Sequence, residues 1–222
     1  MRTSKPAAVT EAALFDKRHE TLPIDRDSVL LLIDIQEGFK DKKWGRRNNP
    51  CAEAKIAQVL HAWRVSGRPI IHVQHVSQEH ASVFAPESPG VALQEFVRPA
   101  NGELLLQKRV NSAFIGTELD GTLKKRGATT LVVVGFTTDH CVSSTVRMAS
   151  NLGYRTIVVA DATATFERRF ADNKPVAPEI IHQIHLLSLQ GEFADVLDAE
   201  MVLSLSEKER GGGRLKEWLV LI

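Results

Sequence analysis

The order of apolar and polar segments along the chain predicts a parallel sheet. Continuous apolar runs without period-two alternation are typical of strands that are covered on both faces. The clearest run occupies residues 29–35 (VLLLIDI). Shorter runs that fit the same interpretation lie at residues 69–73, 103–108, 129–135, 154–162 and 193–197. We therefore expect about six strands.

Helical segments separate these runs. The first helix is framed by Asn49 as a cap, Pro50 at the first helical position and Gly67 after the last turn. Further helices are predicted at residues 117–127, 141–153 and 178–191. Repeated strand–helix units have right-handed crossovers. The sequence therefore predicts an α/β fold, an open, mostly parallel six-stranded sheet with helices on both faces in a Rossmann-like three-layer arrangement.

The patterned part of the chain, residues 28–203, is interpreted as one domain. A length of 222 residues is enough for a single large α/β domain with a full core. Residues 1–27 and 204–222 are weakly patterned, so we interpret them as an N-terminal extension and a C-terminal tail. The GGG at 211–213 suggests a hinge before the amphipathic segment RLKEWLVLI.

Charge and composition exclude several classes of partner. The chain has 28 Lys and Arg against 27 Asp and Glu, which gives neither a basic nucleic-acid surface nor an acidic tail. It contains neither a signal peptide's apolar core nor an apolar run of ~18 residues that could cross a membrane. We expect a cytoplasmic protein with a small-molecule substrate, no nucleic-acid or membrane partner, two free thiols and a homo-oligomeric state, dimer or tetramer.

Reactive side chains follow four of the predicted strands. In open α/β sheets, ligands bind beyond the carboxyl ends of the strands. Asp34 ends the first strand, Lys108 ends the third, and Cys141 follows the fourth by six residues. His72 and His75 lie at or just past the end of the second. Each residue alone fits a structural role, and a single cysteine is more often buried and inert than catalytic.

Together, these residue types fit nucleophilic catalysis by a cysteine. A thiolate that attacks a carbonyl carbon needs a lowered pKa, a proton acceptor and a site for the developing oxyanion. A helix start and Lys108 both favour the thiolate of Cys141. The Asp34 carboxylate can take the thiol proton and later return it to a leaving amine.

Three segments together resemble the isochorismatase-like cysteine hydrolase superfamily, which includes nicotinamidases, N-carbamoylsarcosine amidases and isochorismatases. They are LLLIDIQEGF, LLLQKRVNSAF and LVVVGFTTDHCVSSTVRMASNLGYRTIVVADATAT. The resemblance extends from about Ser28 to Leu203, and HQIHLLSLQGEFADVL resembles the family's closing helix and strand. It favours the amidase branch of the superfamily.

The resemblance implies specific roles for residues of the site. Asp34, Lys108 and Cys141 fall on the family's catalytic positions. A cis peptide is implied between Phe136 and Thr137. The backbone N–H groups of Thr137 and Cys141 would then form the oxyanion hole.

The polar loop at residues 42–50, KKWGRRNNP, is the first candidate for substrate contact. A solvated basic turn explains most of it, but a tryptophan usually buries much of its area or packs on a ligand. We therefore predict that Trp44 caps the pocket and that Arg46 or Arg47 pairs with a substrate carboxylate.

Three further side chains are predicted to line the pocket. His75 is placed at the pocket wall and Phe136 beside the nucleophile turn. Phe114, in NSAF, resembles a pocket aromatic of the family, although an ordinary core phenylalanine explains it equally well.

We predict no metal and no cofactor. Nicotinamidases of this superfamily build a metal site around an Asp-x-His motif, which this chain lacks. The segment HVQHVSQEH at 72–80 offers three histidines, but a period-two strand points His72 and His75 to opposite faces.

The predicted function is hydrolysis of a C–N bond in a small amide, carbamoyl or ureido substrate through a cysteinyl acyl-enzyme. One alternative is isochorismatase-type vinyl ether hydrolysis, which uses Asp and Lys but needs no thiol. Another is a catalytically silent binding or assembly protein that keeps the fold.

Overall fold

The computed structural model describes residues 23–211, with side chains described to residue 207. The predicted amphipathic tail segment lies outside the described residues. The strands of the central sheet are β1 (Val29–Ile33), β2 (Ile70–His75), β3 (Leu104–Lys108), β4 (Thr130–Phe136), β5 (Arg155–Ala164) and β8 (Asp195–Leu197). All six are parallel, in the order β3-β2-β1-β4-β5-β8, so the predicted sheet is confirmed. A small antiparallel hairpin joins β6 (Arg168–Arg169) and β7 (Pro175–Val176).

Helices cover both faces of the sheet, as predicted. They are α1 (Ala52–Ser66), α2 (Leu119–Lys125), α3 (Ser143–Asn151), α4 (Pro178–Leu189) and α5 (Ala199–Gly211). Helices α1 and α5 pack against one apolar face, and α2, α3 and α4 pack against the other. Gly67 ends α1 in the left-handed conformation expected of a terminating glycine. None of the helices within residues 23–211 is long and apolar enough to cross a membrane.

Helix α5 corrects the predicted domain limits. It runs through the proposed boundary between residues 203 and 204, and its Val202 and Leu205 are buried in the core. Ile24, which lies before the other boundary, is fully buried in the same core. The buried apolar positions of α5, at Ala199, Val202 and Leu205, are spaced by three, which is a helical repeat. Packed structure therefore extends beyond residues 28–203 at both ends.

A close contact between β1 and β4 places the two central strand ends together. Gly135 has φ 120°, and a Cβ at this position would lie 2.0 Å from the carbonyl oxygen of Ile33. The pairing of β4 with β5 shifts register between Val133 and Gly135. Chain connections leave β1 and β4 in opposite directions along the sheet, which is where ligands bind in this architecture. Asp34 and the turn that carries Cys141 both follow this contact.

Candidate active site

The ammonium group of Lys108 lies at the centre of the site. Its Nζ donates to Asp34 Oδ2 at 2.6 Å and to Cys141 Sγ at 3.2 Å, and lies 3.2 Å from His75 Nδ1. An ammonium has three protons and no acceptor, so His75 Nδ1 must accept and its proton resides on Nε2. The structure therefore brings together the three residues predicted to be catalytic and one residue predicted to line the pocket.

The backbone N–H of Asp34 makes a hydrogen bond, but within the described residues only one of its two carboxylate oxygens is bonded. It takes the left-handed conformation, with φ 50°, and its N–H donates to the carbonyl of Val73 at 2.9 Å. The carboxylate is buried, and Oδ2 is bonded to Lys108. Among the described residues, Oδ1 has no hydrogen-bond partner. This oxygen is therefore available to accept a proton.

Cys141 lies in a turn that was predicted as the start of a helix. Residues Thr138–Val142 form one turn of π-helix before α3, closed by the N–H groups of His140 and Val142 on the carbonyl of Thr137. The Cys141 side chain is only 8% exposed. Burial, and then the neighbouring Asp34 carboxylate, raise the pKa of the thiol, and the opposing effect of Lys108 is smaller. The sequence argument that the helix start and Lys108 favour the thiolate left out burial, which is the largest influence on the pKa of this thiol.

The charges around the sulfur are fixed by the same contacts. Burial lowers the pKa of Lys108, but its attraction to Asp34 and Cys141 outweighs burial, so the net pKa is raised and the ammonium is retained. Burial, and then Lys108, lower the pKa of His75, so its imidazole is neutral. The resting site consequently holds one buried ion pair, one neutral thiol and one neutral imidazole.

The peptide bond between Phe136 and Thr137 is cis, as the resemblance implied. Thr137 is buried at the start of the nucleophile turn. Phe136 is also fully buried, and it packs edge-on against Phe39 at a centroid distance of 5.6 Å. The Arg47 guanidinium lies 5.2 Å from the centre of the Phe136 ring. Phe136 therefore supports the turn from within the core.

Trp44 belongs to an aromatic cluster beside the site. Its ring lies 6.0 Å from that of Phe84, and Phe84 lies 6.0 Å from the His75 ring. The Trp44 indole N–H donates to the carbonyl of Gly38 at 2.8 Å. A chain of ring contacts thus connects Trp44 to His75 through Phe84. The pocket-capping role of Trp44 stays a prediction.

The two arginines of the same loop already have carboxylate partners. Arg46 makes two bonds to Glu179, at 2.5 and 2.7 Å, and lies at the surface. Arg47 makes two bonds of 2.6 Å to Glu53. Their proposed pairing with a substrate carboxylate stays a prediction.

Phe114, His72 and His80 each have a partner other than Cys141. Phe114 is buried and stacks on Tyr154 at a centroid distance of 5.9 Å. His72 is buried and bonds Glu103 at 2.7 Å. His80 is exposed and pairs with Glu87. The three histidines of residues 72–80 therefore do not converge.

Within the described residues, three side chains that could together bind a metal surround the ammonium group of Lys108. One ligand atom each from Asp34, His75 and Cys141 lies within 4.8 Å of the others. Lys108 Nζ is within hydrogen-bonding distance of all three residues, so its ammonium supplies the positive charge at this place. Sequence reasoning did not anticipate this sharing of one cation by three acceptors.

Sequence reasoning also missed two polar residues of the site. Gln36 is fully buried, and its side chain bonds both the N–H and the carbonyl of His75, at 2.8 and 2.9 Å. Asn111 Oδ1 accepts from the Cys141 thiol at 3.8 Å. The position of Asn111, three residues after Lys108 and at the carboxyl end of β3, is the signal that could have identified it.

This arrangement agrees with what comparison with known proteins shows. Residues 28–201 match the Isochorismatase domain. The chain belongs to the isochorismatase family. It is therefore an enzyme of the hydrolase class.

Three relatives span most of the chain. An uncharacterized isochorismatase family protein of Bacillus subtilis, YrdC, is 41% identical over 181 residues, which is 82% of this chain and 97% of YrdC. The ureidoacrylate amidohydrolase RutB of Methylobacterium radiotolerans is 32% identical over 89% of this chain and 88% of its own. A crystal structure of an isochorismatase-family hydrolase from Chromobacterium violaceum has a TM-score of 0.80 and 38% identity, and covers 84% of this chain and 98% of that one.

Proposed function

We propose that this member of the isochorismatase family is a cysteine amidohydrolase that cleaves a C–N bond in a small amide, carbamoyl or ureido compound. The observation that carries the proposal is the pairing of a buried thiol with a buried carboxylate that has one free oxygen. The Lys108 ammonium holds both groups. One relative, RutB, is named an amidohydrolase, which supports the same reaction class.

The first half-reaction forms an acyl-enzyme. A lone pair of Cys141 Sγ bonds the substrate carbonyl carbon while the thiol proton moves to Asp34 Oδ1. The carbonyl π pair moves to oxygen, and the backbone N–H groups of Thr137 and Cys141 bind the oxyanion. The carbonyl then re-forms as the C–N bond breaks. Asp34 returns its proton to the departing nitrogen, which leaves as ammonia or an amine.

The second half-reaction restores the enzyme. Water attacks the thioester carbon and gives a proton to Asp34, and the C–S bond then breaks. Asp34 returns this proton to the sulfur, so the net reaction consumes one water for each C–N bond. Lys108 stays protonated throughout and holds the carboxylate and the sulfur within reach of each other. A thiol with a raised pKa fits this sequence, because its proton is the one that Asp34 later delivers.

Release of ammonia or an amine from a panel of amides, carbamates and ureides tests the proposal. Wild-type protein and Cys141→Ser are compared, and mass spectrometry of quenched wild-type protein detects the acyl adduct. We expect release and an adduct on Cys141 in the wild type, and neither in the variant. Equal release by both proteins would refute a cysteine mechanism, and release by neither would favour the vinyl ether reaction, which frees no amine and needs no thiol.

A further inference from the structure

Asn111 is the polar group that meets both the nucleophile and the solvent. Its Oδ1 lies 3.8 Å from Cys141 Sγ, and its side chain is exposed. The charged residues around the sulfur, Asp34 and Lys108, are both buried. Within the described residues the Asn111 side chain makes no other hydrogen bond. Its amide is therefore free to bind a molecule that approaches the sulfur from outside.

The position of Asn111 relative to Cys141 is fixed by a buried hydrogen bond. The N–H of Ala113, two residues after Asn111, donates to Thr145 Oγ1 at 3.0 Å. Thr145 is fully buried in α3, the helix that directly follows the nucleophile turn. This bond ties the loop after β3 to the element that carries the sulfur. Asn111 consequently has the positional support that a recognition group needs.

The geometry limits which substrate atom Asn111 can reach. A carbonyl carbon about to be attacked lies roughly 3–3.5 Å from the sulfur. Because Oδ1 is itself 3.8 Å from Sγ, a substituent on that carbon that points towards Asn111 lies within reach of Oδ1. Oδ1 is a neutral acceptor, so it favours a substituent that donates a hydrogen bond.

We infer that Asn111 is a specificity-determining residue that accepts a hydrogen bond from the N–H of the scissile amide or ureido group. The inference rests on the proposed function and narrows it, because it selects substrates with an N–H on the leaving side over the corresponding esters. An ester at the same place offers Oδ1 no hydrogen-bond donor. With its N–H held by Asn111, the leaving nitrogen keeps its lone pair free for the proton that Asp34 delivers.

Two alkylating reagents can take the place of the unidentified substrate in a test. Iodoacetamide carries N–H donors on the carbonyl group next to its reactive CH2 carbon, and methyl iodoacetate carries an ester at the same place. Rates of Cys141 alkylation are measured by intact-protein mass spectrometry for wild type, Asn111→Ala and the matched control Val110→Ala. Val110 is an exposed apolar neighbour in the same loop. A Cys51→Ser background removes the second thiol.

We expect Asn111→Ala to slow iodoacetamide about threefold to tenfold, the usual worth of one hydrogen bond. It should leave methyl iodoacetate unchanged, and Val110→Ala should change neither rate. If Asn111→Ala alters both rates equally, or neither, the inference is overturned while the cysteine mechanism stands. If neither reagent modifies Cys141, the proposed function itself fails and the inference falls with it.

A second readout uses any responsive amide and its ester. Asn111→Ala should lower kcat/KM for the amide and leave kcat/KM for the ester unchanged. The preference for the amide over the ester therefore falls. An unchanged ratio between the two substrates would overturn the inference even if both rates fall, because a loss of loop packing lowers both together.

Discussion

Strand β2 contributes a histidine to each of two ionic networks, and comparing the two networks separates a structural carboxylate from a reactive one. The Cys141 network lies at the carboxyl end of the sheet and consists of Asp34, His75, Lys108 and Cys141. The Glu103 network lies near the opposite ends of β2 and β3 and consists of Arg64, His72 and Glu103. Both have a carboxylate, a cation and a histidine, and both are largely shielded from solvent.

The two carboxylates differ in how completely they are bonded. Glu103 accepts from Arg64 at 2.7 and 2.9 Å, from His72 at 2.7 Å and from the N–H of Ala100 at 2.9 Å. Burial raises its pKa, but these four bonds outweigh burial and lower the pKa to about 2. Asp34 has one bonded oxygen and one free oxygen. The number of donors, and not burial alone, decides which carboxylate can exchange a proton.

The largest expected effect comes from removing the nucleophile. Cys141→Ser should lower turnover by at least about 10³-fold, because the weaker nucleophile removes the covalent route. Cys51→Ser is the matched control and should leave turnover nearly unchanged, since Cys51 is exposed at the start of α1. Steady-state kinetics on a responsive substrate, with circular dichroism to confirm folding, measure both variants. Wild-type turnover in Cys141→Ser would remove the distinction between the two networks.

Exchanging each carboxylate for its amide should separate activity from stability. Asp34→Asn should lower the rate of folded protein by roughly 10²- to 10⁴-fold, because the proton acceptor is lost. Glu103→Gln should change the rate little. It should lower the free energy of unfolding by roughly 1.5–3 kcal/mol, because charged hydrogen bonds weaken. Kinetics and urea denaturation measure the two effects.

The comparison would be contradicted if Glu103 proved to be needed for turnover. A loss of turnover in folded Glu103→Gln as large as that in Asp34→Asn would mean that the Glu103 network participates in the reaction.

Asp34→Asn should make the Cys141 thiol easier to ionise although it slows turnover. The Asp34 carboxylate raises the pKa of Cys141, so Asp34→Asn should lower that pKa. Each unit of decrease gives roughly tenfold more thiolate well below the pKa. Iodoacetamide labelling against pH should therefore shift to lower pH in a variant that turns over more slowly. A shift to higher pH would show that the carboxylate stabilises the thiolate.

The smallest expected effect is a pH dependence of stability. The pKa of Glu103 is lowered from 4.5 to about 2 by folding. A lowered folded-state pKa contributes stability above the unfolded value that is lost as pH falls through the folded value. The stability advantage of wild type over Glu103→Gln should therefore shrink between pH 4.5 and about 2. Urea denaturation at several pH values measures it, and an advantage that grows on acidification would contradict the assignment.

The sequence predicted the site where local pattern and strand ends decide the geometry. Apolar runs placed Asp34 and Lys108 at strand ends, and the parallel sheet brought both to Cys141. The framing of α1 by Gly67 was also recognisable, because a terminating glycine is a local signal.

Features that depend on distant contacts were not predictable in the same way. The raised pKa of Cys141 depends first on burial, in a core cluster whose members are far apart in the sequence. The burial of His72 and its bond to Glu103 depend on the pairing of β2 with β3. Helix α5 was overlooked because its apolar residues all lie in its first seven positions and only polar and charged residues and a glycine follow.

The contact of Gly135 with β1 has a consequence for directed evolution. The space that a Cβ at position 135 would need is occupied by the backbone of Ile33, which cannot move without moving Asp34. Mutant libraries that aim at new substrates should therefore keep position 135 fixed. Diversity is better placed at Asn111, Trp44 and Phe84, whose side chains face or adjoin the site without such a backbone collision. A fold in which the glycine that must be kept is separate from the residues that contact substrate is well suited to acquiring new specificities.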